Sequence, residues 1–316
     1  MSSSGMCSYI PNPVLVSISA SEASDKDDTE DKIDAVFGVY RDEIGKPWVM
    51  PFVLELEKKL LQSDDFNHEY VTYLGLQSFN DLVPRLVFGE KSPHLQNGKA
   101  FGVQTVSGTS ALRVGAELLA RYYNYTTFYI SDPTWDNHEL TFLYAGFSTS
   151  RKYRYWDPVK RGVDFEGLIE DLREAPENSV IVLQLCAHNP TGCDLTKKQW
   201  TEVADVMQER KLFTFFDAAY QGLASGNLEE DAWAVRYFAD RGFEMLIAQT
   251  FSKNMGLYGD RTGCLSVVLK EKSREETEVV KVKLEAITQA LYLCPSKHGA
   301  EIVIRTLQDP QLTKQW

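Results

Sequence analysis

Four stretches of this chain are runs of apolar, mostly β-branched or aromatic residues that stop at a polar side chain. They are Thr126–Ile130 ahead of Ser131, Ser179–Leu185 ahead of His188, Lys211–Phe216 ahead of Asp217, and Glu244–Gln249 ahead of Thr250. Runs this short and this uniformly apolar predict strands buried on both faces. Longer segments with helical spacing lie between them. In one, Leu112, Ala116 and Leu119 share a face just after Ser107, Gly108 and Thr109. From Pro47 and Pro51 onward the alternation continues without an internal repeat or low-complexity tract, which predicts an α/β fold with a mostly parallel central sheet flanked by helices. Ligands in such sheets collect beyond the carboxyl ends of the strands, so four strands ending in reactive side chains point to one shared site. Polar turns are also how most strands end, and the pattern alone allows either reading.

Composition narrows the partners. Across 316 residues the formal net charge is −12, and no basic stripe exists to neutralise a phosphate backbone, so no nucleic-acid partner is expected. No apolar run is long enough to cross a bilayer, and the N-terminus lacks the basic-then-apolar order of a secretory signal, so no membrane partner and a cytoplasmic location are expected. Residues 21–32 are polar and mostly acidic and read as a solvated segment. The five cysteines, Cys7, Cys186, Cys193, Cys264 and Cys294, are too scattered for a zinc ribbon or a redox pair and read as reduced thiols, with no metal site.

The strand ends carry the candidate chemistry. Ser107, Gly108 and Thr109 open a helix, where unpaired N–H groups and the dipole favour a phosphate, although Ser and Thr are also ordinary helix caps. Lys253 follows an apolar strand beside Thr250 and Ser252, with Arg261 close behind. A lysine in a dry, cationic setting gives up its proton readily, and an arginine fork matches a phosphate. Asp217 ends an apolar run and needs either a cationic partner or a helix N-terminus to cap. A protonated pyridine nitrogen is one such partner. Asn189 and Tyr220 can hydrogen-bond a phenolic oxygen, His138 can back the aspartate, and Trp135 offers a ring for stacking. Each also has an ordinary role in a turn or a core.

Together these segments resemble aspartate aminotransferases. SGTSALRVGAELLARYY, PTWDNHELTFLYAGF, CAHNPTG, FFDAAYQGLASGNLEEDAWAVRYF and QTFSKNMGLYGDRTG carry the likeness. It runs from about residue 37 to the end and is nearest to the animal cytosolic type and its divergent 1-like branch. The resemblance implies the type I pyridoxal-phosphate-dependent transferase fold, pyridoxal 5'-phosphate as cofactor, and a homodimer with shared active sites. It implies that Lys253 is the Schiff-base lysine and proton shuttle, that Asp217 faces the pyridine nitrogen, and that Asn189 and Tyr220 face the phenolic oxygen. Trp135 would stack on the ring and face substrate. Ser107, Gly108, Thr109, Thr250, Ser252 and Arg261 would form the phosphate cup, and Tyr70 would reach the phosphate of the neighbouring subunit. Gly38 and Asn189 would contact substrate.

The domain organisation implied is an N-terminal arm over 1–14, the first part of a small domain over 15–47, and a large cofactor-binding domain over 48–316. The rest of the small domain is expected to be missing, together with the arginine that holds the substrate α-carboxylate. Val14, Val16, Ile33 and Val36 would then lose packing partners. Two further departures touch the substrate: Phe37 replaces a smaller residue, and Gln289 stands where the family's arginine binds the side-chain carboxylate. The activity implied is ping-pong transfer of the amino group of L-aspartate to 2-oxoglutarate. The alternatives are an amino-acid racemase, or a catalytically impaired homologue that binds cofactor and forms homodimers or heterodimers.

Overall fold

In the computed structural model the described residues are 23–24, 26–29, 38–64, 67–270 and 274–316. The expectations about Phe37 and about residues 14, 16, 33 and 36 therefore lie outside the described residues. The chain divides into two compact units, Met1–Val49 and Met50–Trp316. In the first, Lys26–Thr29 are exposed, and Tyr40 and Trp48 meet edge to face.

The second unit is built on a seven-stranded sheet. Its strands are β1 (Ala100–Thr105), β2 (Thr127–Asp132), β3 (Thr149–Arg154), β6 (Val180–Gln184), β7 (Phe213–Ala218), β8 (Met245–Thr250) and β9 (Gly263–Val268), and a small hairpin supplies β4 (Trp156–Asp157) and β5 (Gly162–Val163). The order is β1-β9-β8-β7-β6-β2-β3. Strands β3, β2, β6, β7 and β8 pair in parallel, whereas β9 runs antiparallel to both β8 and β1. The four apolar runs appear as β2, β6, β7 and β8. The antiparallel β9 was not foreseen, and its cause is local. Parallel neighbours are usually joined by a helical crossover, and the Phe251–Thr262 connection forms no helix, so the chain turns straight back.

Alternation along the strands splits the core. Ile181, Leu183, Phe216, Met245 and Ile247 face one layer, against the helices Phe165–Glu174, Lys197–Glu209 and Trp233–Asp240. Val180, Val182, Phe215, Leu246 and Ala248 face the other, where the Gly108–Tyr123 helix buries Leu112, Ala116 and Leu119. A third cluster joins the helices Pro51–Leu61, Gln77–Leu82 and His298–Gln308 to Phe251, Met255 and Leu257. With both faces covered, polar residues can collect at the carboxyl edge of the sheet without interrupting apolar packing.

Candidate active site

Residues following β1, β2, β6, β7 and β8 and preceding β9 meet at one edge of the sheet. Register sets the rows. Thr105 and Thr250 both pair with Gly263, while Gln184 and Ala248 flank Asp217.

The first group is an anion cup. The first helical bond runs from the Ala111 N–H to the Ser107 carbonyl at 3.0 Å, so the N–H groups of Gly108, Thr109 and Ser110 open the helix, where a negative charge is favoured. Ser107 has φ 117° and ψ 175°, a backbone state costing a non-glycine residue about 1–3 kcal/mol. Thr105 Oγ1 donates to its carbonyl at 2.9 Å and helps hold it there. Two glycines allow the cup to close. A Cβ on Gly108 would stand 2.9 Å from Thr250 Cβ, and one on Gly263 would stand 2.3 Å from the carbonyl carbon of Ser107. Thr250 Oγ1 donates to Ser252 Oγ at 3.1 Å, and Arg261 Nη1 to the same oxygen at 3.4 Å. Ser107, Thr109 and Arg261 line a cavity of about 530 Å³ that Tyr292 also bounds.

Lys253 sits in the β8–β9 connection, half-buried, with Nζ 5.2 Å from the ring centroid of Tyr258. Burial, and then the charge of Arg261, hold its ammonium below the ordinary lysine range. The neutral amine, which is the nucleophilic form, is thereby favoured.

The third group surrounds Asp217, which lies within β7 and is not a helix cap. Its Oδ2 is 2.9 Å from Nε2 of His138, whose Nδ1 is 2.8 Å from Thr134 Oγ1. A carboxylate only accepts, so Nε2 carries a proton toward Asp217, and the Thr134 hydroxyl, which can donate or accept, steadies the other ring nitrogen. Trp135 packs edge to face on His138 with centroids 5.4 Å apart. Tyr220 has its phenol pushed up by burial and by Asp217 and Tyr258, and so remains a donor.

Asn189 is fixed through its backbone. Gln184 Oε1 accepts from its N–H at 2.8 Å, and Gln184 Nε2 donates to its carbonyl at 2.8 Å. Next to it, His188 stacks on Tyr155 at 3.8 Å and meets the hydroxyls of Ser131 and Thr191 at 2.8 and 2.9 Å. Burial, reinforced by His138, holds His188 down to about 4. Ser131 and His188 stand in the sequence as polar strand ends with no assigned role, whereas Gln184 and Thr134 go unmarked there, although a glutamine inside an otherwise apolar strand is a visible signal.

Two residues named from the sequence, Tyr70 and Gln289, are not in this cluster. Tyr70 is 75% exposed and lines a separate cavity of about 590 Å³ with Val106, Pro295 and His298. Gln289 is exposed and donates to the Tyr73 hydroxyl at 3.3 Å. Gly38 belongs to the Met1–Val49 unit and is exposed. Among the described residues, no group of three His, Cys, Asp or Glu is arranged for a metal, and no helix is long and apolar enough to cross a membrane. Cys186, Cys193, Cys264 and Cys294 are free thiols.

A lysine held toward its neutral form, an anion cup and an aspartate backed by a buried histidine share one sheet edge. The family model for class I and II aminotransferases matches residues 30–316. The chain belongs to that family. Among its relatives is the cytoplasmic aspartate aminotransferase of Gallus gallus, 47% identical over 290 residues that cover 90% of this chain and 70% of that one. Solved aminotransferase structures share the fold. The broad-specificity aminotransferase of Leishmania mexicana superposes with a TM-score of 0.90 at 40% identity, covering 98% of this chain and 74% of its own. An aromatic-amino-acid aminotransferase of Burkholderia pseudomallei, covalently bound to pyridoxal phosphate, superposes with a TM-score of 0.93 at 33% identity, covering 100% and 77%.

Proposed function

We propose that this aminotransferase moves the amino group of L-aspartate to a 2-oxo acid such as 2-oxoglutarate, using pyridoxal 5'-phosphate. The observation that carries the reading is that Lys253, held toward its neutral form, follows β8 at the same sheet edge that carries the Ser107–Arg261 cup and the Asp217–His138 pair. The aspartate aminotransferases among its relatives support it.

The site suits that cofactor in three respects. Helix N-terminal N–H groups, the hydroxyls of Ser107, Thr109, Thr250 and Ser252, and Arg261 match a phosphate. Asp217 matches a protonated ring nitrogen, and Trp135 offers a flat face beside it. Tyr220 and the side chain of Asn189 are the donors available to a phenolic oxygen. When bound, the pyridoxal ring supplies the electron sink that draws density from the substrate α-carbon.

The remaining work belongs to the chain. Lys253 Nζ would hold the cofactor and, once displaced from it by the substrate amine, would as a free amine take the α-proton of the amino acid and return it, a role that a lowered proton affinity favours. Asp217, oriented by His138 and Thr134, keeps a proton on the ring nitrogen. Tyr220, a phenol that stays protonated, donates toward the phenolic oxygen. In the place of the family's side-chain arginine, Gln289 offers only an amide, so we propose a weakened preference for dicarboxylates over neutral amino acids.

We further propose that the chain works in the cytoplasm as a homodimer, with Tyr70 serving the neighbouring subunit. The exposure of that tyrosine and the cytoplasmic relatives support this. Incubating the cofactor-loaded chain with L-aspartate and 2-oxoglutarate should yield oxaloacetate and glutamate, and Lys253→Ala should abolish both. Absence of either product from the wild type would overturn the reading.

A further inference from the structure

We infer that Trp316 is a positioning residue for Lys253, acting through the carbonyl of Asn254, the residue that follows the lysine. The indole Nε1–H donates to Asn254 O at 2.7 Å, and the ring packs against the cluster that contains Phe251, Met255 and Leu257 from the same connection. This rests on the reading of Lys253 as the reactive amine.

The anchor is itself built firmly. Asp309 caps the Pro310–Gln315 helix, accepting from the Gln311 and Leu312 N–H groups at 2.8 and 3.4 Å. Thr313 Oγ1 donates back to Thr306 O at 2.7 Å, tying that helix to His298–Gln308. The His298–Gln308 helix grips the far arm of the same loop. His298 Nδ1 lies 2.9 Å from Asp260 Oδ1, and Gly299 packs so tightly on Thr262 that a Cβ there would stand 2.1 Å from its Oγ1. The loop carrying Lys253 is thus held at both arms by one helical pair.

Asn254 extends the hold across the site. Its buried side chain donates to Gln221 O at 3.4 Å, next to Tyr220, and Gln221 Nε2 donates to Leu86 O at 2.6 Å. Releasing the Asn254 carbonyl loosens the turn from Lys253 to Gly256, which is closed by a 3.2 Å bond between the Gly256 N–H and the Lys253 carbonyl. Loosening admits water to the amine. Because burial is the main cause of its lowered proton affinity, hydration moves Lys253 back toward an ordinary lysine.

The test traps Lys253 with pyridoxal 5'-phosphate and borohydride in the full chain, quantified by mass spectrometry across pH. Trp316→Phe, which keeps the ring and removes the donor, should trap roughly fivefold more slowly at neutral pH, the scale of one lost hydrogen bond, with its pH midpoint moved upward. Trp316→His, which restores a ring N–H, should recover the wild-type midpoint. A merely structural role would lower the melting temperature and leave the midpoint in place. An unchanged rate and midpoint in Trp316→Phe would overturn the inference alone. Failure of wild-type Lys253 to be trapped would overturn the functional reading and this inference with it. Should Trp316→Phe not fold, the wild-type chain decides: exchange of the Trp316 indole proton should slow when pyridoxal phosphate binds, and an unaltered rate would overturn the coupling.

Discussion

Nε2 of His138 lies 2.9 Å from Oδ2 of Asp217, and the histidine is 0% exposed. A buried imidazole in that place fixes which oxygen of the carboxylate is engaged and leaves the other for a ligand. His138→Leu keeps bulk but removes the donor from a largely buried acid. It should cost about 1.5–3 kcal/mol of stability, the scale of a hydrogen bond to a charged group, and weaken pyridoxal phosphate binding. Urea unfolding and a binding titration check the two effects.

Gly263 is where β9 meets the cup, with no room for a Cβ beside Ser107. Gly263→Ala should displace the Ser107–Gly108 backbone, cost about 1–3 kcal/mol as overpacking does, and weaken pyridoxal phosphate more than pyridoxal. Gly259 is the control, since nothing lies within 4 Å of a Cβ there. Gly259→Ala should leave both affinities intact.

The lowered proton affinity of Lys253 has two causes, burial first and Arg261 second. Arg261→Ala removes the second only. The pH midpoint for trapping Lys253 should therefore rise toward the ordinary lysine value without reaching it. Arg261→Lys, which keeps the charge but not the fork, should leave the midpoint near wild type while weakening the grip on phosphate. A midpoint unmoved in Arg261→Ala would remove the electrostatic part of the account.

His188 is held down from 6.5 to about 4 by burial and by His138. Between those values the unfolded chain binds a proton that the folded chain refuses, so stability falls as pH drops from 6.5 toward 4 and levels off below. The loss amounts to about 3 kcal/mol over the window. Urea unfolding at stepped pH should show it, and His188→Gln should flatten that part of the profile.

Much of this architecture is legible in the sequence because it is local. Strands β2, β6, β7 and β8 announce themselves as apolar runs, and the helix after Ser107 by its spacing. Strands β1 and β9 do not, because their buried polar residues are satisfied by distant neighbours. Ser266 Oγ donates to Gln249 Oε1 at 2.9 Å, and Gln104 Nε2 donates to Ser296 O at 2.7 Å. Read along the chain, such residues argue against a buried strand. The positioning of the site hides in the same way: Gln184 holds Asn189, and Trp316 holds Asn254, through bonds that no periodicity encodes. Resemblance supplied the candidate roles of Lys253 and Asp217, and the surrounding contacts supply the physical reasons those residues are suited to them.

The most direct measurement is the visible absorption spectrum of the purified chain with pyridoxal 5'-phosphate, before and after L-aspartate and without any 2-oxo acid. The account predicts a cofactor band that is missing in Lys253→Ala and that L-aspartate converts to the amino form, with one oxaloacetate released per site. A band that forms without Lys253, or one that no amino acid alters, would contradict it.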